Sequence, residues 1–271
     1  MLSLRARIAG IVLSALMLVG AASSVHASYT DPAAHLTMGN PSGATSSTAN
    51  DRNYLIQRPQ YAMSYHRYNG IPNWVSWHLE ASDSGGSGRS DFQPDNSLPS
   101  GWYRVQPGDY TNSGYDRGHM IPSGDRTATT TANQSTFLMS NIIPQAPDNN
   151  QGPWAALENY CRDLAQAGNE LYIIAGGDDS QGTIAGGKVL IPNFTWKVIL
   201  VLPRGSNDLS RVTTSTRVIA VSMPNRQGIR ANDWRQYRYS VDQVETWTGY
   251  NFFSNVSSSV QSVIEARVDT Q

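Results

Sequence analysis

Cysteine is almost absent from this 271-residue chain, in which Cys161 is the single example. An internal disulfide is therefore excluded, so stability has to come from packing or bound metal. A zinc site built from cysteines is excluded as well. Cys161 falls on the apolar side of an expected helix, where we favour a small buried hydrophobe over the alternative of a catalytic nucleophile.

The chain also lacks an excess of positive charge, since its formal net charge is −1 at pH 7. Removal of an N-terminal segment containing Arg5 and Arg7 would make it more acidic. No basic footprint of a tight nucleic-acid binder is present, although a field local to one cleft could still attract a polyanion. Lysine occurs only as Lys188 and Lys197, so nearly every cation is arginine, whose guanidinium pairs with phosphate in a bidentate fork.

A long apolar run is missing too. A membrane-spanning helix needs ~20 apolar residues, whereas the stretch at residues 8–18 is short and is followed by small residues ending at Ala27. Two arginines precede it. We expect residues 1–27 to be a cleaved secretory signal peptide rather than a membrane anchor, and the protein to be exported to the extracellular space or periplasm without stable membrane association.

Hydrophobic patterning after residue 27 indicates one domain of α+β class. Residues 28–51 are rich in Ser, Thr, Ala, Gly and Pro and are expected to form a flexible surface segment, followed by a single domain at 52–271. Strand-like and helix-like patterns predict a mixed, mainly antiparallel central sheet flanked by helices. The strands are expected near 54–65, 73–79, 102–105, 115–120, 136–143, 171–176, 188–191, 195–202 and 218–223, and the helices near 150–168, 240–249 and 256–268.

The densest group of chemically useful side chains begins with Asp116, Arg117, Gly118 and His119. Histidine is neutral, and hence basic, near pH 7 because its unperturbed pKa is ~6.5. His119 is thus a candidate general base that could deprotonate a water molecule. A lone histidine is more often structural, and we interpret the other histidines after residue 27 in that way.

A second group lies on the expected helix, where Asn150, Trp154, Glu158 and Arg162 follow at steps of four and share one face. Such a face could offer an amide, a carboxylate and a guanidinium to a cleft. The alternative is a surface helix with a Glu158–Arg162 ion pair, and periodicity does not decide between them. Amide and carboxylate oxygens suit Mg²⁺ or Mn²⁺, and a bound cation with Arg117 and Arg162 would complete the equipment for phosphodiester hydrolysis.

These residues resemble the sugar-non-specific DNA/RNA endonucleases of the ββα-metal group, and the chain is most similar to the secreted cyanobacterial type. The likeness extends over nearly the whole chain after residue 27. It is carried by YDRGHMIP at 115–122, NIIPQ at 141–145 and NQGPWAALE at 150–158, with weaker matches at 36–41, 73–77, 171–173 and 248–250.

The resemblance implies a role for each matched position. His119 would activate the attacking water, Asn150 would be the direct protein ligand of one Mg²⁺, for which Mn²⁺ could substitute, and Glu158 would orient the metal's water shell. The remaining matched residues would stabilise phosphate or support the site, with Asp116 expected to brace a loop. They are Arg117 and Arg162 for phosphate, and Asp116, Arg126, Asn141 and Trp154 for support.

The resemblance further implies a secreted, Mg²⁺-dependent endonuclease that cuts single- and double-stranded DNA and RNA to products with 5′-phosphates. Some members of the family are met by a dedicated protein inhibitor, so such a partner is a further hypothesis. Two alternatives stay open from the sequence. One is a phosphodiesterase for small nucleotides or phospholipids, and the other is a non-catalytic module that binds nucleic acid.

Overall fold

A seven-stranded antiparallel sheet forms the centre of the protein in the computed structural model, which describes residues 31–271. The signal peptide expected at residues 1–27 lies outside the described residues. The order across the sheet is β1-β2-β3-β6-β9-β10-β11, and two strand pairs, β4-β5 and β7-β8, lie apart from it. The strands are β1 (Tyr54–Gln57), β2 (Ala62–His66), β3 (Ile71–Leu79), β4 (Asp116–His119), β5 (Ile142–Gln145), β6 (Asn169–Asp178), β7 (Gly182–Ile184), β8 (Val189–Ile191), β9 (Phe194–Pro203), β10 (Arg217–Pro224) and β11 (Arg238–Tyr239).

Helices cover both faces of this sheet, so the expected α+β fold is confirmed. The α-helices are α1 (Thr130–Thr136), α2 (Pro147–Asn149), α3 (Ala155–Gln166), α4 (Asp208–Arg211), α5 (Val241–Thr248) and α6 (Ser258–Ile264), and a π-helical turn (Asn150–Trp154) joins α2 to α3. Short 3-10 turns lie at Pro32–Leu36, Ala81–Asp83, Pro107–Tyr110, Ser123–Asp125, Met139–Asn141, Ala185–Gly187 and Trp234–Tyr237. No helix within residues 31–271 combines the length and apolar character that crossing a membrane requires.

Two apolar cores result from the alternation of side chains along the strands. On β3, Val75 and Trp77 belong to the core that α3 covers with Leu157 and Cys161. Trp74, the residue before Val75, belongs to the opposite core, which the C-terminal elements cover. Cys161 is buried in the core under α3 with a pKa raised to about 12 by burial, so it packs as a hydrophobe and has no thiolate character.

The N-terminal segment differs from the expected loose surface segment. Ala34, Met38 and Ala44 are each less than 5% exposed and belong to the buried set of the protein. The backbone carbonyl of His35 accepts a hydrogen bond of 2.6 Å from Ser76 on β3. Small residues let the backbone of this segment lie close to the sheet. Flexible tails have a similar composition, and for that reason the sequence alone suggested a loose segment.

The elements on the α3 side depart from the sequence pattern at three places. The expected strand at 102–105 is irregular, and the expected strand at 136–143 is replaced by a 3-10 turn leading into β5, which starts at Ile142. Pro144 lies inside β5 because that strand belongs to a two-stranded pair with a free edge. A further helix, α1, occupies a stretch expected to be irregular.

The helix that carries Asn150 starts earlier than expected. Its first turn is α2, and Pro153 lies within the π-helical turn instead of at the first helical position. Proline has no backbone N–H to donate, and the wide turn accommodates the missing hydrogen bond. Gly152 has non-helical backbone angles (φ −108°, ψ −115°), so α2 and α3 are separated by a kink.

Candidate active site

The strand pair β4–β5 carries the first group of expected site residues. His119 lies opposite Ile142 and Asp116 opposite Gln145 in the antiparallel register. Between them, Gly118 allows a close approach, because a Cβ at this position would lie 2.3 Å from Oε1 of Gln145. The strand that bears His119 is therefore packed tightly against its neighbour.

His119 lies in an aromatic environment and is only 9% exposed. Its ring centroid is 5.2 Å from that of Phe92 and 4.9 Å from that of Phe137. Burial, and to a lesser extent the positive charge of Arg89, lowers the pKa of His119 to about 3. Its Nε2 is buried without a hydrogen-bond partner among residues 31–271, which leaves Nδ1 as the nitrogen able to accept a proton. The imidazole is thus neutral near pH 7.

Asn150 is held in one orientation by Asp116. Oδ2 of Asp116 accepts hydrogen bonds from Nδ2 of Asn150 at 2.8 Å and from Nε2 of Gln151 at 2.7 Å. An ionised carboxylate only accepts, so the amide nitrogen of Asn150 must face it. Within residues 31–271, the amide oxygen of Asn150 is thereby left for another partner, and Asp116 joins the side chains of Asn150 and Gln151.

Glu158 follows on α3 and is half-buried. Burial raises the pKa of Glu158 to about 7, while the positive charge of Lys197 acts in the opposite direction. Lys197 is 1% exposed, and its Nζ lies 4.1 Å from the ring centroid of Trp154. Trp154 is fully buried, so the expected shared face is divided: Trp154 lies in the core, whereas Glu158 is only partly buried.

The oxygens that these residues present suit a hard divalent cation. Asn150 contributes a neutral amide oxygen whose orientation is fixed from behind, and Glu158 contributes a carboxylate. Both are oxygen donors of the kind that Mg²⁺ and Mn²⁺ prefer. The free amide oxygen of Asn150 is the observation that fits the residues to such an ion.

Arg117 lies close to His119 and has free donors. Its Nε donates to the carbonyl of Pro107 at 3.2 Å, and its guanidinium lies 5.2 Å from the ring centroid of Phe92. No hydrogen bond within residues 31–271 uses its two terminal nitrogens. Both terminal nitrogens of Arg117 can therefore donate to phosphate in a bidentate contact, while Nε keeps its hydrogen bond to Pro107.

Arg162 is already engaged with the protein. Its NH1 pairs with Oδ1 of Asp125 at 2.8 Å, and its NH2 donates to Oδ1 of Asn159 at 2.6 Å. The alternative Glu158–Arg162 ion pair does not occur in the described part of the chain. Gly124 makes room for the guanidinium, since a Cβ there would lie 2.9 Å from NH1 of Arg162.

Arg126 and Asn141, both expected to support the site, lie inside the protein. The guanidinium of Arg126 is 0% exposed, donates to the carbonyls of Gln60 and His78, and pairs with Asp83 at 3.2 Å. The amide of Asn141 accepts from the backbone N–H of Ile121 and donates to its carbonyl. Neither side chain reaches the surface on which His119 opens.

Arg89 is a candidate site residue that sequence reasoning missed, because a single arginine in an irregular segment is most simply interpreted as an ordinary solvated charge. Its NH1 donates to Oγ of Ser123 at 3.2 Å, and its guanidinium lies 5.1 Å from the ring centroid of Phe137, which also contacts His119. The segment from Glu80 to Ser100 has no periodicity that could place it. The one available signal was that Arg89 is the only cation in that segment.

A second missed residue is Asn225, which positions the metal-facing helix. Its Oδ1 accepts from the backbone N–H of Ala146 at 2.7 Å, and its Nδ2 donates to the carbonyls of Pro144 and Pro192. It is buried and ties the start of α2 to the end of the sheet. An isolated asparagine after a strand carries no sequence signal for this role.

A different group of side chains, His78, Glu170 and Asp208, brings three ligand atoms within 4.8 Å of one another. Arg211 pairs with both carboxylates of this group. A protein cation thus already supplies the positive charge, and the group forms a buried ion-pair network.

Comparison with known proteins adds an independent finding. A family model described as DNA/RNA non-specific endonuclease matches residues 38–259. A protein named Nuclease from Nostoc sp. (strain PCC 7120) is 51% identical over 236 residues, which cover 87% of this chain and 86% of that protein. Nuclease C1 of Cunninghamella echinulata var. echinulata is 32% identical over 222 residues, covering 76% of this chain and 84% of that protein.

Among solved structures, the chain is similar to one in the crystal structure of the EndoG/EndoGI complex, described there as showing the mechanism of EndoG inhibition. The TM-score is 0.67 at 26% identity, with coverage of 82% of this chain and 91% of that chain. The family match extends over most of the described residues and includes His119, Asn150 and Glu158. The chain therefore belongs to the DNA/RNA non-specific endonuclease family.

Proposed function

We propose that this non-specific nuclease is a Mg²⁺-dependent endonuclease that cuts single- and double-stranded DNA and RNA internally and leaves 5′-phosphates. Mn²⁺ is the expected substitute cation. The single observation that carries the proposal is the bracing of Asn150 by Asp116, which turns a free amide oxygen outward. A neutral histidine lies three residues from Asp116 on the same strand.

In the proposed mechanism, Nδ1 of His119 takes a proton from the attacking water as its oxygen bonds to phosphorus. The bond from phosphorus to the 3′ oxygen breaks, so the phosphate stays on the 5′ oxygen of the downstream fragment and the upstream fragment ends in a 3′-hydroxyl. Arg117 and Arg89 bind the non-bridging oxygens, on which negative charge grows. A cation held by Asn150, with Glu158 ordering its waters, would supply charge stabilisation and an acidic water for the leaving oxygen.

Indifference to the sugar follows from the use of external water. A nuclease that uses the 2′-hydroxyl as its nucleophile is restricted to RNA, whereas a base that activates water needs no such group. Phosphate contacts carry no sequence information, so arginine clamps favour cutting without sequence preference. The proposed roles of His119, Arg117 and Arg89 therefore account for both DNA and RNA as substrates.

Analysis of product ends tests this proposal. Duplex DNA fragments from limited digestion, with their ends blunted by a polymerase, should be ligatable without prior kinase treatment, because they carry a 5′-phosphate and a 3′-hydroxyl. Formation of the fragments should stop with a chelator and resume with Mg²⁺ or Mn²⁺. Fragments with 3′-phosphates, or digestion unaffected by chelator, would contradict the chemistry, and cleavage of mononucleotide esters alone would favour a small-molecule phosphodiesterase.

We also propose that the protein is exported after cleavage of residues 1–27 and acts as one nuclease domain formed by residues 52–271, with residues 31–51 packed on it. The sequence of residues 1–27 supports export, since an arginine-containing start, a short apolar stretch and small residues form the usual three parts of a signal peptide. N-terminal sequencing of the protein recovered outside the cytoplasm should begin at Ser28. Recovery of the uncleaved chain from the cytoplasm would contradict this.

A dedicated protein inhibitor is the proposed partner beyond nucleic acid. The similar solved structure is an inhibited complex of EndoG, and a non-specific nuclease is hazardous to the cell that makes it. A pull-down from the producing cell, with the inactive His119→Ala variant as bait, should return a stoichiometric protein that blocks the wild-type enzyme. Absence of such a protein would count against the proposal.

A further inference from the structure

Three carboxylates converge at the C-terminal end of the fold, away from the candidate active site. Asp242 and Glu245 lie on α5, and Glu265 directly follows α6. One oxygen from each lies within 4.8 Å of the others. The backbone N–H of Asp242 donates to the carbonyl of Glu265 at 3.1 Å, so the start of α5 is already bonded to the end of α6.

No cation among residues 31–271 forms an ion pair with this group. Within residues 31–271, none of the three side chains forms an ion pair, and the one hydrogen bond to them is donated by the backbone N–H of Phe252 to Oε1 of Glu245 at 2.8 Å. The His78–Glu170–Asp208 group described above differs, because Arg211 lies against its carboxylates. The C-terminal group therefore has acidic ligands and no internal counter-ion.

Glu265 gives a second, independent indication of a ligand. The residue is 5% exposed, and its Oε1 is buried without a hydrogen-bond partner. A buried carboxylate oxygen without a partner is costly, since its hydration is lost and nothing replaces it. Burial, followed by the charges of Glu245 and Asp242, raises the pKa of Glu265 to about 8. A bound cation would satisfy the orphaned oxygen and remove the repulsion.

We propose that Asp242, Glu245 and Glu265 form a structural Ca²⁺ site that joins α5 to the end of α6. Ca²⁺ takes six to eight oxygens in a flexible geometry, and carboxylates bind it through one or both oxygens. Asp242 is exposed, so water can complete the shell from outside. The group contains no histidine or cysteine, which disfavours zinc. Such an ion stabilises the C-terminal elements and takes no part in hydrolysis.

Stoichiometry of bound Ca²⁺ tests the site directly. The Asn150→Ala background removes the proposed active-site ligand, so the remaining Ca²⁺ after equilibrium dialysis should be one ion per chain. Adding Glu265→Gln should abolish this binding, whereas adding Asp163→Asn, a change at an exposed carboxylate on α3, should leave it intact. Absence of Ca²⁺ from the Asn150→Ala protein, or equal binding by the Glu265→Gln double variant, would overturn the proposal.

Thermal unfolding in the Asn150→Ala background, which lacks the proposed active-site ligand, provides the second test. In a Ca²⁺ chelator at pH 8.5, adding Glu265→Gln should raise the melting temperature, because it removes one of three mutually repelling carboxylates. With Ca²⁺ added, the melting temperature of the Asn150→Ala protein should rise and that of the Glu265→Gln double variant should not. An equal Ca²⁺ response of the two proteins would refute the site, and the chelator measurement shows separately that the variant folds.

Discussion

At the residue scale, the candidate base is kept neutral by its surroundings. A pKa of about 3 ensures that His119 carries no proton at pH 7, but it also makes the free imidazole a weak base. A bound polyanion changes this balance, since negative charge near the ring favours the imidazolium and offsets the influence of Arg89. Substrate binding should therefore raise the basicity of His119 when it is needed.

Arg89→Ala tests the missed site residue. Loss of a cation that faces the phosphate should lower kcat/KM by ~10²-fold, the usual cost of removing one donor to a charged transition state. The same change should raise the pKa of His119, measured by NMR of the histidine ring. Arg52→Ala, at an exposed arginine stacked on Tyr68, is the control. An unchanged rate together with an unchanged pKa would remove Arg89 from the site.

Asp116→Ala tests the bracing of Asn150. Without the carboxylate, the amide of Asn150 is free to rotate, so the Mg²⁺ concentration that gives half-maximal activity should rise by ~10-fold or more. Activity at saturating Mg²⁺ should recover much of the loss, because the oxygen ligand itself is retained. Asp163→Ala provides an exposed carboxylate as a control. An unchanged Mg²⁺ requirement would mean that Asp116 has no role in orienting Asn150.

At the element scale, the order of the candidate site residues along the chain was predictable from the motifs. Some of the strands and helices around them were predicted as well, and others were not. The long strands β6, β9 and β10 follow from runs of apolar residues, and α5 from the Ser240 cap and Gly249. By contrast, α1 has no apolar periodicity, and β5 contains a proline that normally ends a strand. Tertiary contacts decide those segments, and a single sequence does not reveal them.

The wide turn at residues 150–154 was unpredictable for a related reason. Proline after glycine normally indicates a helix start, yet the contact between Gly152 and Arg230 lets the chain continue through a kink. Arg230 also holds Asp148 and Gln151 by hydrogen bonds of 2.9 Å. The geometry of the Asn150 turn thus depends on a loop some 80 residues away in the sequence, at separations of 82 and 79 residues.

Gly152→Ala tests that dependence. An added Cβ would lie 2.6 Å from the carbonyl oxygen of Arg230 and 2.7 Å from its Cα, so backbone must shift. The free energy of unfolding should fall by about 1–3 kcal/mol, as for other overpacked sites. Gly88→Ala is the matched control, because nothing lies within 4 Å of its added Cβ. Equal unfolding free energies for the two variants in urea would contradict the proposed contact.

At the scale of the whole molecule, the acidic net charge does not prevent action on a polyanion, because the cations are concentrated where they are needed. Arg89 and Arg117 lie near His119, and other arginines are bound in ion pairs, such as Arg217 with Asp269. Net charge was the weakest of the sequence arguments, since composition cannot show which cations are neutralised. The strongest sequence argument was the order of the motifs along the chain.

Whole-molecule stability should depend on His35, which connects the N-terminal segment to the sheet. Its Nε2 lies 2.9 Å from the carbonyl of Pro59, and its Nδ1 accepts from the backbone N–H of His78 at 3.2 Å. Burial, reinforced by the charge of Arg126, lowers the pKa of His35 from 6.5 to about 3. The unfolded chain therefore binds the proton more tightly, so this stabilisation is complete above pH 6.5 and is lost as the pH falls toward 3.

His35→Gln removes this titration. Below pH 6.5, the free energy of unfolding of wild type should fall more steeply than that of the variant, by up to about 1.4 kcal/mol per pH unit. Urea unfolding of both proteins between pH 8 and pH 4.5, with chelator present, measures the difference. A difference that does not change with pH would show that His35 takes up no proton on unfolding.

Digestion of closed circular DNA and of a long RNA tests the central claim most directly. The wild-type chain should cut both internally with Mg²⁺ and neither with chelator, while His119→Ala should be slower by ~10²–10⁴-fold and retain its fold and binding. Asn150→Ala should cut slowly and respond only weakly to added Mg²⁺. Wild-type rates from His119→Ala, or rapid cutting in chelator, would contradict the account of a histidine base beside a cation held by Asn150.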